Sequence, residues 1–409
     1  MKITIESPLA LPCGAIIANR LCKAALTEGL ADDMNRATPR LERLYRAWSE
    51  GGAGLVITGN VQVDRRYLER PGNVVIDGNG GLDALRAYAR AGTAAGNHLW
   101  MQINHPGRQT PVHVCTEPVA PSAVSLKLPG DQYAAPRAMT EAEVLDAIAR
   151  FARVAASARD CGFTGIQVHA AHGYLISQFL SPLVNQRTDR WGGSLENRAS
   201  FLREVVRACR AATSADFPIG VKLNSSDFQQ GGFSTEDCVQ VVRWLGEDGV
   251  DLLELSGGSY EQPSMMGVRA KGEAAPPVAD STRRREAYFL DYARTIRAVA
   301  TMPVMVTGGF RSRAAMDEAL ADGQLDMIGL GRPMCVDTDL PNRLMSGEWA
   351  QGESYERRID PPRAGLAWFC IQLMNIGDGL APERELAGAQ AIERYARSEA
   401  DAARGLRGR

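Results

Sequence analysis

Short runs of β-branched and other apolar residues alternate with amphipathic stretches along most of the chain. That alternation predicts parallel strands joined by helical crossovers. Eight runs qualify as strands: Leu21 to Thr27, Leu55 to Asn60, Leu99 to Asn104, Gly165 to His169, Ile219 to Asn224, Leu252 to Ser256, Val304 to Thr307 and Met327 to Gly331. Between them, apolar positions recur at helical spacing, as at Val144, Ile148, Phe151 and Val154, with Thr140 placed to cap and Glu143 three residues on. Ser194 to Thr213, Ser234 to Gly249 and Arg285 to Ala300 repeat the pattern. Eight such units without a break in composition predict an α/β fold, a closed (β/α)8 TIM barrel. An open doubly wound sheet would more often carry a separate cofactor domain. The barrel is expected over residues 1–346, with a C-terminal extension over 347–409 that is part helical around Arg384 to Arg404. Two connections, Pro106 to Met139 and Gly257 to Arg284, exceed ordinary loop lengths; both follow strands, so both should overhang the catalytic face.

Composition narrows the partners. The 46 basic and 48 acidic residues nearly cancel, and no run of like charge offers itself to nucleic acid or an anionic membrane. Eight scattered cysteines include no CxxC pair, so zinc, iron–sulfur and dithiol chemistry are not expected and reduced thiols are. The N-terminus lacks a signal-peptide pattern, and no eighteen consecutive residues are apolar. These features predict a cytoplasmic protein acting on a small molecule.

In a barrel the reactive groups stand at the C-terminal ends of the strands. Here those positions are polar where Val or Ile would be ordinary: Thr27, Asn60, Gln102 with His105, His169 with His172, and Lys222. Strands seven and eight end in Thr307-Gly308-Gly309-Phe310 and Gly329-Leu330-Gly331-Arg332. Glycines there let backbone N–H groups approach an anion, and Arg332 can grip phosphate oxygens with two donors. Either segment alone could be a plain turn, but the pair falls at the fold's recurrent phosphate position.

Lys222 is one of only five lysines and sits in the apolar run Ile219 to Leu223. It is either a barrel lysine paired with a carboxylate or a cation held against a ring that becomes anionic on reduction. Gln102 can offer amide donor and acceptor to the same ring edge, and Thr27 a hydroxyl proton to a ring carbonyl. An HxxH pair such as His169 and His172 is often structural or half of a metal site. No convincing third ligand accompanies it, so no metal is expected. Two imidazole donors can instead hold one carbonyl oxygen, with Tyr174 offering a phenolic proton nearby.

The stretch from His169 to Arg198, beginning His-Ala-Ala-His-Gly-Tyr and ending Trp-Gly-Gly-Ser-Leu-Glu-Asn-Arg, strongly resembles the old yellow enzyme family. Asn19-Arg20, Leu26-Thr27-Glu28, Gln102 to Arg108, Thr307-Gly308-Gly309 and Gly331-Arg332 echo it in the expected order, over roughly residues 1 to 345. The resemblance implies FMN at the barrel mouth, with NADH or NADPH as a transient hydride donor needing no GxGxxG domain. By the same resemblance Ala24, Ala25, Leu26 and Thr27 lie beneath the flavin, Gln102 binds its pyrimidine edge, and Lys222 stands near N1. His169 and His172 match the pair that holds a substrate carbonyl and Tyr174 the proton donor; relatives often self-associate as homo-oligomers.

This chain departs from the family pattern in three places. Lys222 stands where many relatives carry arginine, which loses bidentate geometry but keeps charge. Asn60 replaces a small residue, and the closely spaced cysteines of cluster-bearing relatives are absent beyond the barrel. The activity implied is reduction of activated C=C bonds, in enones and by extension quinones or enoyl thioesters. A flavin-dependent dehydrogenase or demethylase of an amine or alcohol remains open, as does a phosphate-ligand binding barrel without redox chemistry. Arg283, Arg284 and Arg285 could contact a 2′-phosphate or simply be solvated.

Overall fold

The computed structural model describes residues 2–128, 130–258, 260–261 and 293–407. Arg283 to Arg285, most of the Gly257 to Arg284 connection and the first half of the Arg285 to Ala300 helix lie outside the described residues. Eight parallel strands form a closed ring, in chain order Leu21–Lys23, Leu55–Ile57, His98–Asn104, Gly165–Ala170, Ile219–Asn224, Leu252–Ser256, Val304–Thr307 and Met327–Leu330. Strand eight pairs with strand one through Gly329 opposite Cys22, and strand two pairs with strand three, which closes the (β/α)8 barrel.

Strands one and two end earlier than their apolar patterns suggest. The Ala24 N–H still reaches Leu330 O at 2.9 Å, after which the chain leaves the ladder. At strand two the Gly59 N–H goes to the Glu28 carboxylate and the Tyr45 hydroxyl, each at 3.0 Å, instead of to a neighbouring strand. Side-chain acceptors thus capture the backbone where the ladder would have continued.

The interior of the barrel is layered. Cys22, Leu55, Ile57, Trp100, Leu252, Met305 and Met327 pack into an apolar floor, closed from below by Leu9, Leu11 and Ile17 of an antiparallel hairpin. Trp100 fills this floor so completely that a Cβ on Gly165 or Gly220 would lie 2.5 or 2.8 Å from its ring. Small residues on strands four and five are therefore a packing requirement. The larger core lies between strands and helices.

Helix starts follow local chemistry. Thr140 and Glu143 make the full capping box of the helix Glu141–Asp160, and Ser194 and Ser234 cap Leu195–Ala212 and Thr235–Glu247. The tail forms two helices, Gly365–Gly377 and Gly388–Arg407. The first has no polar face and is buried almost throughout, the state of a helix apolar all round, so a search for amphipathic period passes over it. Its Gly377 allows close approach to Leu30 and to the Arg40 carbonyl. No helix among the described residues is long and apolar enough to cross a membrane.

Candidate active site

Two residues above the floor on strands three to six, the inward positions become polar. Strand register places Gln102 beside Gln167 and Lys222 beside Glu254. Gln102 Nε2 donates to Gln167 Oε1 at 2.7 Å, Gln167 Nε2 donates to Glu254 Oε2 at 2.7 Å, and Lys222 Nζ lies 2.9 Å from Glu254 Oε1. All four are buried, and Glu254 is fully so. Lys222 is thus a member of a carboxylate pair under the barrel mouth.

One further step along strand four stands His169, and the chain then turns sharply. His172 takes φ +61° and Gly173 φ +76°, left-handed values that a non-glycine residue adopts only when held there. The holding contacts are the His172 N–H to Asn224 Oδ1 at 3.1 Å and Gln109 Nε2 to His172 O at 3.1 Å. The turn brings the His169 and His172 rings to 5.0 Å between centroids and His169 to 4.8 Å from Tyr174.

The protonation of these groups follows from their surroundings. Burial lowers both imidazoles well below their usual 6.5, with repulsion from His172 and then Lys222 adding to it at His169, and from Lys222 at His172. They are neutral at physiological pH. His169 Nδ1 accepts the Ala171 N–H at 3.2 Å, which leaves its proton on Nε2. His172 Nε2 meets Ser256 Oγ at 2.6 Å; a Ser256 hydroxyl donating to it leaves the His172 proton on Nδ1. Tyr174 shares a 2.7 Å hydrogen bond with Tyr260. Burial, the nearby Glu69 carboxylate and Tyr260 hold its phenol well above 10, so it keeps its proton.

The opposite side of the mouth is built from the segment after strand one. Thr27 Oγ1 donates to Glu69 at 3.0 Å, Asn60 Nδ2 donates to the same carboxylate, and Asn60 lies 3.4 Å from Thr27. A hydroxyl has one proton, so a ring carbonyl would compete with Glu69 for the one on Thr27. The next residue, Arg70, is anchored to the tail: it pairs with Glu399, stacks over Tyr395 and donates to Thr27 O at 3.2 Å. The C-terminal helix Gly388–Arg407 therefore buttresses the Thr27 segment through Arg70.

Strands seven and eight supply the candidate anion cradle. Gly308 and Gly309 adopt φ +112° and +84°, and among the described residues nothing lies within 4 Å of a Cβ built on Gly308. Among the described residues the neighbour within 4 Å of a Cβ built on Gly331 is Leu26 Cδ2 at 3.9 Å, which sets the Ala24-Ala25-Leu26 segment beside it. Arg332 begins the 3-10 turn Arg332–Cys335 and makes no ion pair among the described residues. Thr307 Oγ1 and Asn60 Oδ1 are buried without a hydrogen-bond partner among the described residues. Open glycine backbones, an arginine with no carboxylate and orphaned polar atoms fit a phosphate-bearing ring cofactor.

The candidate flavin and substrate residues thus fall on the C-terminal side of the barrel, while Arg283 to Arg285 lie outside the described residues. Sequence reasoning missed four others. Gln167 and Glu254 were legible in principle, as polar residues inside the apolar runs Gly165–Ala170 and Leu252–Ser256. Glu69 and Tyr260 lie in connections whose course no periodicity gives.

A family model described as the NADH:flavin oxidoreductase / NADH oxidase family matches residues 7–351. The chain is 35% identical over 396 residues to the NADH-dependent flavin oxidoreductase iliE of Hypocrea jecorina (strain QM6a), covering 90% of this chain and 97% of that protein. It is 38% identical over 357 residues to a protein of the same name from Neonectria sp. (strain DH2), covering 82% of this chain but only 46% of that longer protein. Among solved structures, a 2-naphthoyl-CoA reductase complex superposes with a TM-score of 0.78 at 26% identity, over 92% of this chain and 57% of that one. An old yellow enzyme homologue from Zymomonas mobilis superposes with 0.71 at 24% identity, over 86% and 95%, a likeness of fold.

Proposed function

Because the chain belongs to the NADH:flavin oxidoreductase / NADH oxidase family, in which FMN is the cofactor and NAD(P)H the donor, we propose that it reduces C=C bonds conjugated to a carbonyl. FMN held at the mouth would supply the hydride chemistry between the nicotinamide and the β-carbon of the acceptor. The protein's own groups do the rest. The backbones of Gly308, Gly309 and Gly331 with Arg332 would receive the phosphate, and Ala24 to Thr27 with Asn60 would border the ring. Gln102 and Lys222 would meet its polar edge from inside the barrel.

The observation that carries this reading is the trio His169, His172 and Tyr174. Two neutral imidazoles can each direct one N–H at the acceptor's carbonyl oxygen and stabilise the charge that develops there. Tyr174, a phenol that stays protonated beside them, delivers a proton to the α-carbon. Donors for an oxyanion together with an acid match carbonyl activation better than oxidation of an amine.

Relatives named as NADH-dependent make NADH the first donor to try. One structural relative is named for a CoA thioester, which puts enoyl thioesters among the acceptors. The test is anaerobic reduction of the FMN-loaded protein by NADH or NADPH, then mixing with enones, quinones, nitro compounds and enoyl thioesters. Fast reoxidation by an enone or enoyl thioester supports the proposal. Reoxidation by none of the conjugated carbonyl compounds would remove it.

A further inference from the structure

The carboxylate beneath the mouth has no place in the reaction just described, yet it pairs with one of the residues assigned to the flavin edge, Lys222, and reaches the other, Gln102, through Gln167. Glu254 is completely buried on strand six, where the barrel wall could as well have carried a leucine. One oxygen meets Lys222 Nζ at 2.9 Å and the other accepts from Gln167 Nε2 at 2.7 Å. Separated, the lysine and glutamate would each be an uncompensated charge in the barrel, so the pair is held together as ions.

An ionised carboxylate only accepts hydrogen bonds. Gln167 must therefore turn its NH2 toward Glu254, which leaves its Oε1 facing Gln102. Gln102 must in turn donate its Nε2, as it does at 2.7 Å. The direction of the whole chain of amides is fixed from its acidic end. Gln102 Oε1 is left as the free end and accepts no hydrogen bond among the described residues. It is an acceptor suited to an imide N–H, the group at the pyrimidine edge of a flavin.

We infer that Glu254 is a positioning residue for the flavin: it cancels the charge of Lys222 and sets Gln102 to present an acceptor, so that reduced FMN is less stabilised than a lone lysine would make it. This rests on the reading that Lys222 and Gln102 hold FMN. A lone cation would favour the anionic reduced ring and make it a poorer hydride donor. A neutral pair keeps the ring located without that penalty.

The inference is tested by the midpoint potential of the FMN-loaded protein, titrated anaerobically against reference dyes, together with FMN affinity from ultrafiltration. Glu254→Gln leaves Lys222 unbalanced. Reduced FMN should then be held about 10- to 100-fold more tightly relative to oxidised FMN, a rise of about 30–60 mV for a two-electron couple. Glu254→Asp keeps the charge and should restore most of the wild-type potential. The double variant Lys222→Met with Glu254→Gln buries no unpaired charge, and its potential should differ from wild type by less than about threefold in that same ratio.

An unchanged or lowered potential in Glu254→Gln overturns the inference. Should that variant fail to fold, the double variant decides: a drop equivalent to tenfold or more would show Lys222 acting as an unbalanced cation. Failure of the underlying reading looks different. In that case neither Lys222→Met nor Gln102→Leu weakens FMN binding, whatever Glu254 does.

Discussion

The floor and the upper half of the barrel interior are built by the same eight strands with the same inward alternation, yet they do opposite things. Moving two residues up a strand replaces Trp100 by Gln102, Leu252 by Glu254, Gly165 by Gln167 and Gly220 by Lys222. Another two residues give His169, Asn224 and Ser256. The floor excludes water with a single indole and the small residues that admit it. The upper half buries charges and amides, and its Gln102–Gln167–Glu254–Lys222 chain and its His172–Ser256 contact give each group a partner that holds it in place. Burial supplies stability in one layer and orientation in the other.

The comparison can be broken first at the floor. Trp100→Ala removes the side chain around which Gly165 and Gly220 are shaped, and should cost about 3–5 kcal/mol of folding free energy in chemical denaturation. Whatever protein remains folded should still bind FMN. Loss of FMN without loss of stability would mean that the floor is part of the site.

In the upper half the expected effect is on chemistry and not on folding. His169→Ala removes the Nε2–H donor and should slow reoxidation by an enone by about 10²- to 10³-fold, while reduction by NADH changes far less. Equal slowing of both half-reactions would assign His169 to general packing of the mouth.

A smaller effect is expected at Glu69. After burial, its carboxylate is the next cause holding the Tyr174 phenol high. Glu69→Gln should therefore let Tyr174 ionise at lower pH, moving the alkaline fall of enone reduction downward. The rate near neutrality should change by less than about tenfold, within the range of one positioned acid. An alkaline limb that does not move would detach Glu69 from Tyr174.

The least change is expected from pH across the range in which free imidazoles titrate. His169 and His172 stay neutral in the folded protein because burial depresses them, so enone reduction should vary by less than about twofold between pH 6 and 8. Stability carries the opposite sign. Below 6.5 the unfolded chain takes up protons that the folded one refuses, so folding free energy is flat above that pH and is lost as pH falls. His105, lowered to about 4 by burial, adds to the loss in the same direction.

Much of this was legible in the sequence because it follows from period and position. All eight strands fall where alternation places them, and Thr140, Ser194 and Ser234 cap helices as their side chains dictate. His169, Lys222 and Gln102 stood out as polar residues in buried strands, and His172 as a polar residue just beyond one. What escaped depended on long-range encounters. Glu69 meets Thr27 across a gap of 42 residues, and Arg70 meets Glu399 across 329. The helix Gly365–Gly377 escaped because uniform apolarity carries no period. Glu254 was visible within an apolar strand, but only strand register reveals that it faces Lys222.

The central claim is that Tyr174 delivers a proton to carbon while hydride arrives from the flavin, and Tyr174→Phe tests it most directly. Stopped-flow under anaerobic conditions should show reduction by NADH nearly unchanged and reoxidation by a quinone nearly unchanged, since water can protonate the oxyanion a quinone forms. Reoxidation by an enone should slow by about 10²- to 10⁴-fold, toward the lower end where the neighbouring Tyr260 hydroxyl or water substitutes. Equal slowing of NADH oxidation, quinone reduction and enone reduction would contradict the account, because Tyr174 would then be shaping the pocket and not supplying the proton.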